Sequence, residues 1–354
     1  MALRHMRSDV LKRIIKVLPP YLFLRLPPLP SRGDSPTEGF GIITPFLPEH
    51  VITWGEAQVL QKVVAGCQLA KQLGAKIVGL AGFASVVGNE GEEIAREVEM
   101  PVTSGNTLTA GLALQGLRNA AQKLGIPLSE ATVAVIGATG DIGSICARVL
   151  SKEAARLKIA ARNVTNLEAL ADKLREGGGC PVEVVKYVYE AVRGSDIVLT
   201  ATSAITTIID PADVKPGAVI CDIALPHNVG DDIVRVRDDV LVFEGGLASL
   251  PEGHLSKDQR WRRVSPDGTT IFGCLAETWI LALEGRWESY SLGRGNITPE
   301  RVNEMMRLAA RHGFRVADFR YRNVLFDEER LRKIRENAAR SSRRYGTASV
   351  TIAV

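Results

Sequence analysis

Between Gly55 and Leu73, apolar residues recur at Val59, Val63, Val64, Cys67 and Ala70, the spacing of a helix with one buried face, and the pattern stops at Gly74. A short apolar strand over 76–80 follows, then a turn at Gly82 and a second extended segment that ends at Val102. Residues 109–124 predict a long helix, stopped by Gly125 and Pro127. From Ser129 the rhythm changes to alternating strand and helix, with strands expected at 132–136, 157–161, 182–185, 197–200, 218–223 and 240–243. That alternation is the signature of a parallel sheet, and six strands fit an α/β, doubly wound Rossmann arrangement. After Gly245 and Gly246 the chain turns irregular and charged through Gly268. Helices are then expected over 274–284, from Thr298-Pro299-Glu300 onward, and over 327–344. Thr as N-cap with Pro in the first helical position is a strong start signal.

The pattern divides the chain of 354 residues into four stretches. Residues 1–38 form an arm punctuated by Pro19, Pro20, Pro27, Pro28, Pro30 and Pro36; 39–128 a small α/β substrate domain; 129–250 the sheet domain; 251–354 a substrate loop and C-terminal helices. No apolar run reaches the roughly 18 residues of a spanning helix, and the apolar part of the N-terminus is broken by prolines and Arg25, unlike a secretory leader. Five cysteines without C-x-x-C pairing argue against a disulfide scaffold or a structural zinc site, and a cytoplasmic setting is the expectation. No metal is called for.

Charge changes the picture at the ends. The net charge is +4, but residues 1–30 carry +5 and residues 316–354 carry +4, leaving −5 for the middle. The ends read either as solvated tails or as a docking surface for an acidic partner. Nucleic acid is not expected, because no aromatic residues interleave with the basic ones. The oligomeric state is not legible.

The run Thr132-Val-Ala-Val-Ile-Gly137-Ala138-Thr139-Gly140-Asp141-Ile142-Gly143 is a strand entering a glycine turn and then a helix. Such a turn brings backbone N–H groups and a helix N-terminus up to a pyrophosphate. The spacing is G-x-x-G-x-x-G rather than G-x-G-x-x-G, and its place between strand and helix supports dinucleotide binding. An NAD-preferring site puts an acid at the end of the second strand; here stand Arg162 and Asn163, and Arg162 can pair with a 2′-phosphate. NADPH is the expected cofactor. Thr202 and Ser203 after the fourth strand, and Gly245 and Gly246 after the sixth, suit close passage of the nicotinamide ribose or ordinary turn chemistry.

Cys274 lies in Ile271-Phe-Gly273-Cys274-Leu-Ala-Glu277, where Gly273 breaks the preceding segment and Leu275 onward reads as helix. A thiol at a helix N-terminus has its thiolate favoured by free N–H groups, and the same groups could hold an oxyanion. A small buried apolar residue is the competing reading. The other four cysteines read as structural.

Thr103-Ser-Gly-Asn-Thr-Leu-Thr-Ala-Gly111, Ala131 to Ser144 with its glycine loop, Phe46-Leu-Pro-Glu49, Gly82-Phe-Ala-Ser85, Ala160-Ala-Arg-Asn163, Cys274-Leu-Ala-Glu277, Leu283-Glu-Gly285, Gly293-Arg-Gly-Asn-Ile-Thr298 and Arg311-His-Gly-Phe314 resemble the long-chain acyl-[acyl-carrier-protein] reductases of cyanobacteria. The resemblance spans about residues 39 to 315. It implies that Cys274 is the catalytic cysteine and that a fatty acyl thioester, on acyl carrier protein or coenzyme A, is reduced with NADPH to an aldehyde. One departure is His227, where the family tends to have Lys; His227 itself reads as a surface turn residue. A shikimate-dehydrogenase-like oxidoreductase has a similar layout, but its Asn-Thr-Asp-Gly run is Asn106-Thr-Leu-Thr109 here, without Asp. A non-catalytic NADP-binding sensor is the third reading.

Overall fold

The computed structural model describes residues 14–29, 37–251, 260–261, 264–265, 267–322 and 324–346. Strands β1 (Tyr21–Leu29) and β2 (Thr37–Ile43) come first. Helix α1 (Glu56–Gln72), the short strands β3 (Val78–Gly79) and β4 (Val102–Thr103), and helix α2 (Asn106–Leu124) follow. The alternating region holds β5 (Thr132–Ile136), α3 (Asp141–Leu150), β6 (Arg156–Ala160), α4 (Val164–Glu176), β7 (Val182–Val185), α5 (Val188–Val192), β8 (Ile197–Thr200), β9 (Val219–Asp222) and β10 (Leu241–Glu244). Helices α6 (Gly273–Leu283) and α7 (Pro299–Arg311), the short strands β11 (Arg320–Tyr321) and β12 (Val324–Leu325), and helix α8 (Glu328–Gly346) close the chain.

The six expected strands form within a residue or two of their expected ends, in one fully parallel sheet of order β10-β9-β8-β5-β6-β7. The order reverses between β5 and β8, which creates a crevice at the carboxyl ends of those two strands. The start of α7 is capped as its Thr-Pro signal predicts: the Arg301 N–H donates to Thr298 Oγ1 at 3.3 Å. Asp327 caps α8 in the same way, accepting from the Arg330 N–H at 2.9 Å.

Part of the proline-punctuated arm forms a strand ribbon. Residues 21–29 and 37–43 pair as antiparallel strands with a shifted register, and Leu24 is buried. Pro27 and Pro28 lie inside β1, and a two-stranded ribbon accommodates them because a strand with one neighbour need not donate from every N–H. Residues 1–13 of the basic arm and 347–354 of the basic tail lie outside the described residues.

The chain divides into two compact units. One comprises Met1–Asn106, Leu250–Asn296 and Arg307–Arg315; the other Thr107–Ser249, Ile297–Met306 and Val316–Val354. In the first, the buried face of α1 (Val59, Val63, Val64, Cys67) packs with Leu80, Ile94, Val98 and Val102. Helix α6 approaches β3 so closely that a Cβ on Gly79 would fall 1.9 Å from Thr278 Oγ1. In the second, Ala113, Leu114, Leu117 and Ala121 of α2 join the core built on the parallel sheet. Ile334 and Leu331 of α8 are buried in the same core. Among the described residues no helix is long and apolar enough to cross a membrane.

Leu117 is fully buried in the sheet's core. Leu117→Ala should lower unfolding stability in urea by about 2–5 kcal/mol, the range for deleting a buried leucine side chain.

Candidate functional site

In the larger unit the glycine loop sits where the strand order reverses. Gly137 follows β5 with φ +85°, and a Cβ there would meet the Ala201 carbonyl oxygen after β8 at 2.3 Å. A Cβ on Gly143 would meet the Gly137 carbonyl oxygen at 2.2 Å. These two glycines therefore let loop, helix and neighbouring strand close on one another. Gly140 is the N-cap of α3 and, as glycine, supplies no side-chain cap. A dinucleotide's pyrophosphate fits such a cradle.

The loop residues divide by what their amides do. The N–H groups of Gly137 and Ala138 donate to the Ala160 carbonyl at 2.8 and 3.2 Å, and that of Gly140 to Gly137 at 3.0 Å. Ala138 and Asp141 are buried, whereas Thr139, Gly140 and Ile142 keep partial exposure. The open side of the loop is thus formed by Gly137, Thr139, Gly140 and Ile142, with the Gly137 and Gly140 N–H groups already engaged.

Arg162 stands exposed just beyond β6 and donates to Ser203 Oγ at 3.1 Å, so these two candidates meet across the loop ends. Asn163 is committed elsewhere: its Oδ1 caps α4 by accepting from the Asn166 N–H at 3.0 Å. Thr202 Oγ1 donates to Asn228 Oδ1 at 2.7 Å and accepts from the Ala204 N–H at 3.1 Å. Gly245 passes close to Cys221 and Ile223, and Gly246, at φ +75°, is buried against Thr109 of α2. Close packing is thus part of what both glycines do.

His227 is not the surface residue its turn suggests. Its side chain is only 8% exposed and lies between Asp222, 3.4 Å from Nδ1, and Glu244, 3.3 Å from Nε2. Burial pushes its pKa down, but the two carboxylates outweigh burial and raise it to about 9.

In the smaller unit Cys274 is the second residue of α6, and the helix opens without a side-chain cap. The thiol meets the backbone N–H groups of Gly82, of Leu275 and of Cys274 itself. Gly82 turns with φ +57°, and Ser85 Oγ fixes that turn by donating to the Gly82 carbonyl at 2.7 Å. Gly105, at φ +73°, abuts the helix start: a Cβ there would stand 2.1 Å from the Cys274 Cα. One turn on, Glu277 is fully buried and accepts from Thr103 Oγ1 at 2.5 Å and Ser291 Oγ at 2.7 Å. The Ser104 hydroxyl is buried with no hydrogen-bond partner among the described residues.

Three separate sequence runs therefore converge on one thiol: Gly82 to Ser85, Thr103 to Gly105, and Cys274 to Glu277. Sequence reasoning read Gly82 as a turn but gave neither it nor Gly105, Glu277 or Asn228 a part in the site. The signal for both glycines is the positive-φ turn each sits in; pattern showed it at Gly82 and not at Gly105.

The helix-start amides act on Cys274 in the expected direction, but burial outweighs them. Burial pushes the thiol pKa up to about 11 and the nearby Glu277 charge adds to this, while the N–H groups of Gly82, Leu275 and Cys274 pull against it. Cys67 and Cys146, both buried, are pushed up to about 12 by desolvation. Cys274 differs from them in its partial exposure and its three amide contacts.

Residues 118–244 match the family described as Shikimate / quinate 5-dehydrogenase. Over 311 residues the chain is 30% identical to the aminotransferase PigE of Serratia sp., covering 87% of this chain and 36% of that one, so it spans about a third of that relative's length. Over 285 residues it is 32% identical to a long-chain acyl-[acyl-carrier-protein] reductase of Synechococcus elongatus, covering 76% of this chain and 80% of that one. Over 149 residues it is 30% identical to a glutamyl-tRNA reductase of Chlorobium chlorochromatii, covering 40% of this chain and 34% of that one.

With its pKa near 11, the Cys274 thiol should be alkylated by iodoacetamide about tenfold faster per pH unit between pH 7.5 and 9.5, with no plateau. Peptide mass spectrometry of the labelled site checks this; a plateau below pH 9 would mean that the amide contacts prevail over burial.

Proposed function

The chain belongs to the family of the Synechococcus elongatus long-chain acyl-[acyl-carrier-protein] reductase and is an NAD(P)-dependent oxidoreductase; from that premise we propose that it reduces a fatty acyl thioester to an aldehyde through an acyl group carried on Cys274. The convergence of the Gly82 turn, Gly105 and the start of α6 on the Cys274 thiol supports this reading above all. A purely structural cysteine needs no such amide contacts.

The cysteine's part is nucleophilic. Sulfur attacks the thioester carbonyl, the new C–S bond forms as the carrier's C–S bond breaks, and the thiol proton of Cys274 ends on the departing carrier thiol. The N–H groups of Gly82 and Leu275 stabilise sulfur as its charge develops, and do so again when the Cys274 thiolate leaves the aldehyde carbon. A thiol held near 11 is protonated at neutral pH, so little reactive thiolate stands idle without substrate.

The sheet unit binds NADP(H). Thr139, Gly140 and Ile142 would hold its pyrophosphate, and Arg162 with Ser203 its 2′-phosphate. When bound, NADPH supplies the hydride that the acyl carbon requires. The acyl group arrives on an acyl carrier protein or coenzyme A.

Incubation with acyl thioester and no NADPH should leave an acyl group on Cys274 alone, read by mass spectrometry. Cys274→Ser should abolish aldehyde formation while NADPH binding, which rests on residues of the other unit, persists. Near-normal turnover by that variant would remove the acyl-enzyme. Oxidation of a hydroxy acid with NADP and an unlabelled Cys274 would put the shikimate-dehydrogenase-like reading in its place.

Arg162→Ala should weaken NADPH binding by about tenfold to a hundredfold and leave NADH binding almost unchanged, because a guanidinium–phosphate contact is charge-assisted. Fluorescence titration with both cofactors checks this, and equal affinity for the two in the unaltered protein would overturn the assignment.

A further inference from the structure

The carboxyl edge of the sheet holds a charged cluster that the proposed chemistry does not use. Asp222 and Glu244 are the last residues of β9 and β10 and stand opposite one another in the parallel register. The His227 ring lies between their carboxylates, within 3.4 Å of both. The β11–β12 pair supplies the remaining neighbours. Tyr321 packs its ring 5.3 Å from that of His227, and its hydroxyl donates to the Val229 carbonyl at 2.6 Å and contacts Asp222 Oδ2 at 3.3 Å. The Arg322 N–H donates to Glu244 Oε1 at 2.8 Å, and its guanidinium pairs with Asp231.

Asp222 also organises the loop that carries His227. Its Oδ2 accepts from the N–H groups of Asn228 and Val229 at 3.0 and 3.1 Å, and its Oδ1 from that of Ala224 at 3.1 Å. Asn228 then reaches the cofactor edge. Its Oδ1 accepts from Thr200 Oγ1 at 2.6 Å and Thr202 Oγ1 at 2.7 Å, and its Nδ2 donates to the Ala204 carbonyl at 3.3 Å. Ser203, inside that segment, bonds Arg162. An unbroken chain of contacts thus runs from the His227 proton to the arginine assigned to the 2′-phosphate.

We propose that protonated His227 is a positioning residue: as the cation between Asp222 and Glu244, it holds the loop 224–229, and through Asn228 the segment 200–204, in the form that receives NADPH, so that cofactor affinity depends on its proton. The inference rests on the proposed placement of the cofactor. Without the proton, two carboxylates at adjacent strand ends face each other with no cation between them, and like charges at that range repel. The raised pKa of about 9 agrees with the geometry: His227 is charged at neutral pH, and the charge is lost as pH rises through about 9. NADPH has no group that titrates there.

The test is NADPH affinity of the full chain by fluorescence titration from pH 7 to 10 at constant ionic strength, for the wild type, His227→Lys and His227→Gln. The dissociation constant of the wild type should rise about tenfold by pH 10, as expected when only the protonated form binds well. His227→Lys keeps its charge longer and should give a flatter profile. His227→Gln should bind more weakly at pH 7.5 with little further change. Coincident profiles for the wild type and His227→Lys would overturn the proposal, also if His227→Gln fails to fold. NADPH that binds the wild type nowhere in the range would remove the cofactor placement and the proposal with it.

Discussion

The parallel pairing of β5 with β8 is the constraint on which the sheet unit depends. Both strands are almost wholly buried, so neither face is free for polar chemistry, which is confined to the loops beyond the strand ends. Because β6 and β9 lie on the outer sides of this pair, successive loops turn away from one another and leave a crevice between them. Gly137 and Ala201 line that opening at backbone-to-backbone distance, where no side chain larger than hydrogen fits. Arg162, Thr202, Ser203 and Asn228 are drawn to the same edge by strands far apart in sequence, and their hydrogen bonds join the loop ends into one polar rim.

In the other unit the Cys274 thiol sits at a helix start and is nevertheless held protonated. A helix N-terminus favours negative charge by only about 0.3–1 kcal/mol, less than one pKa unit. Desolvation of the Cys274 sulfur raises the thiol from 9.0 to about 11 even against three amide contacts. Burial is therefore the larger effect at rest. In the proposed acyl transfer the amides would act most strongly as charge gathers on sulfur, since a low-dielectric surrounding strengthens every aligned dipole. Gly105 permits this arrangement by letting the chain pass within contact of the helix start.

Strand alternation, helix periods, the Thr298-Pro299 cap and the glycine turn were all legible in the sequence, because each depends on residues close together in the chain. That is why the six strands, the long helices and the position of Cys274 at the start of α6 follow from pattern alone. The prolines of β1 concealed a strand, since local propensity counts against them and only pairing with β2 makes up for it. The environment of His227 was hidden for the same reason. Its sequence neighbours look like a surface turn, while Asp222, Glu244 and Tyr321 reach it from separate strands. The direction of the Cys274 pKa likewise required knowing what surrounds the sulfur. Sequence by itself determined the local elements and the chemical types available at their ends; tertiary structure alone decided burial and charge, because desolvation and ion pairing are set by groups that the chain brings together only on folding.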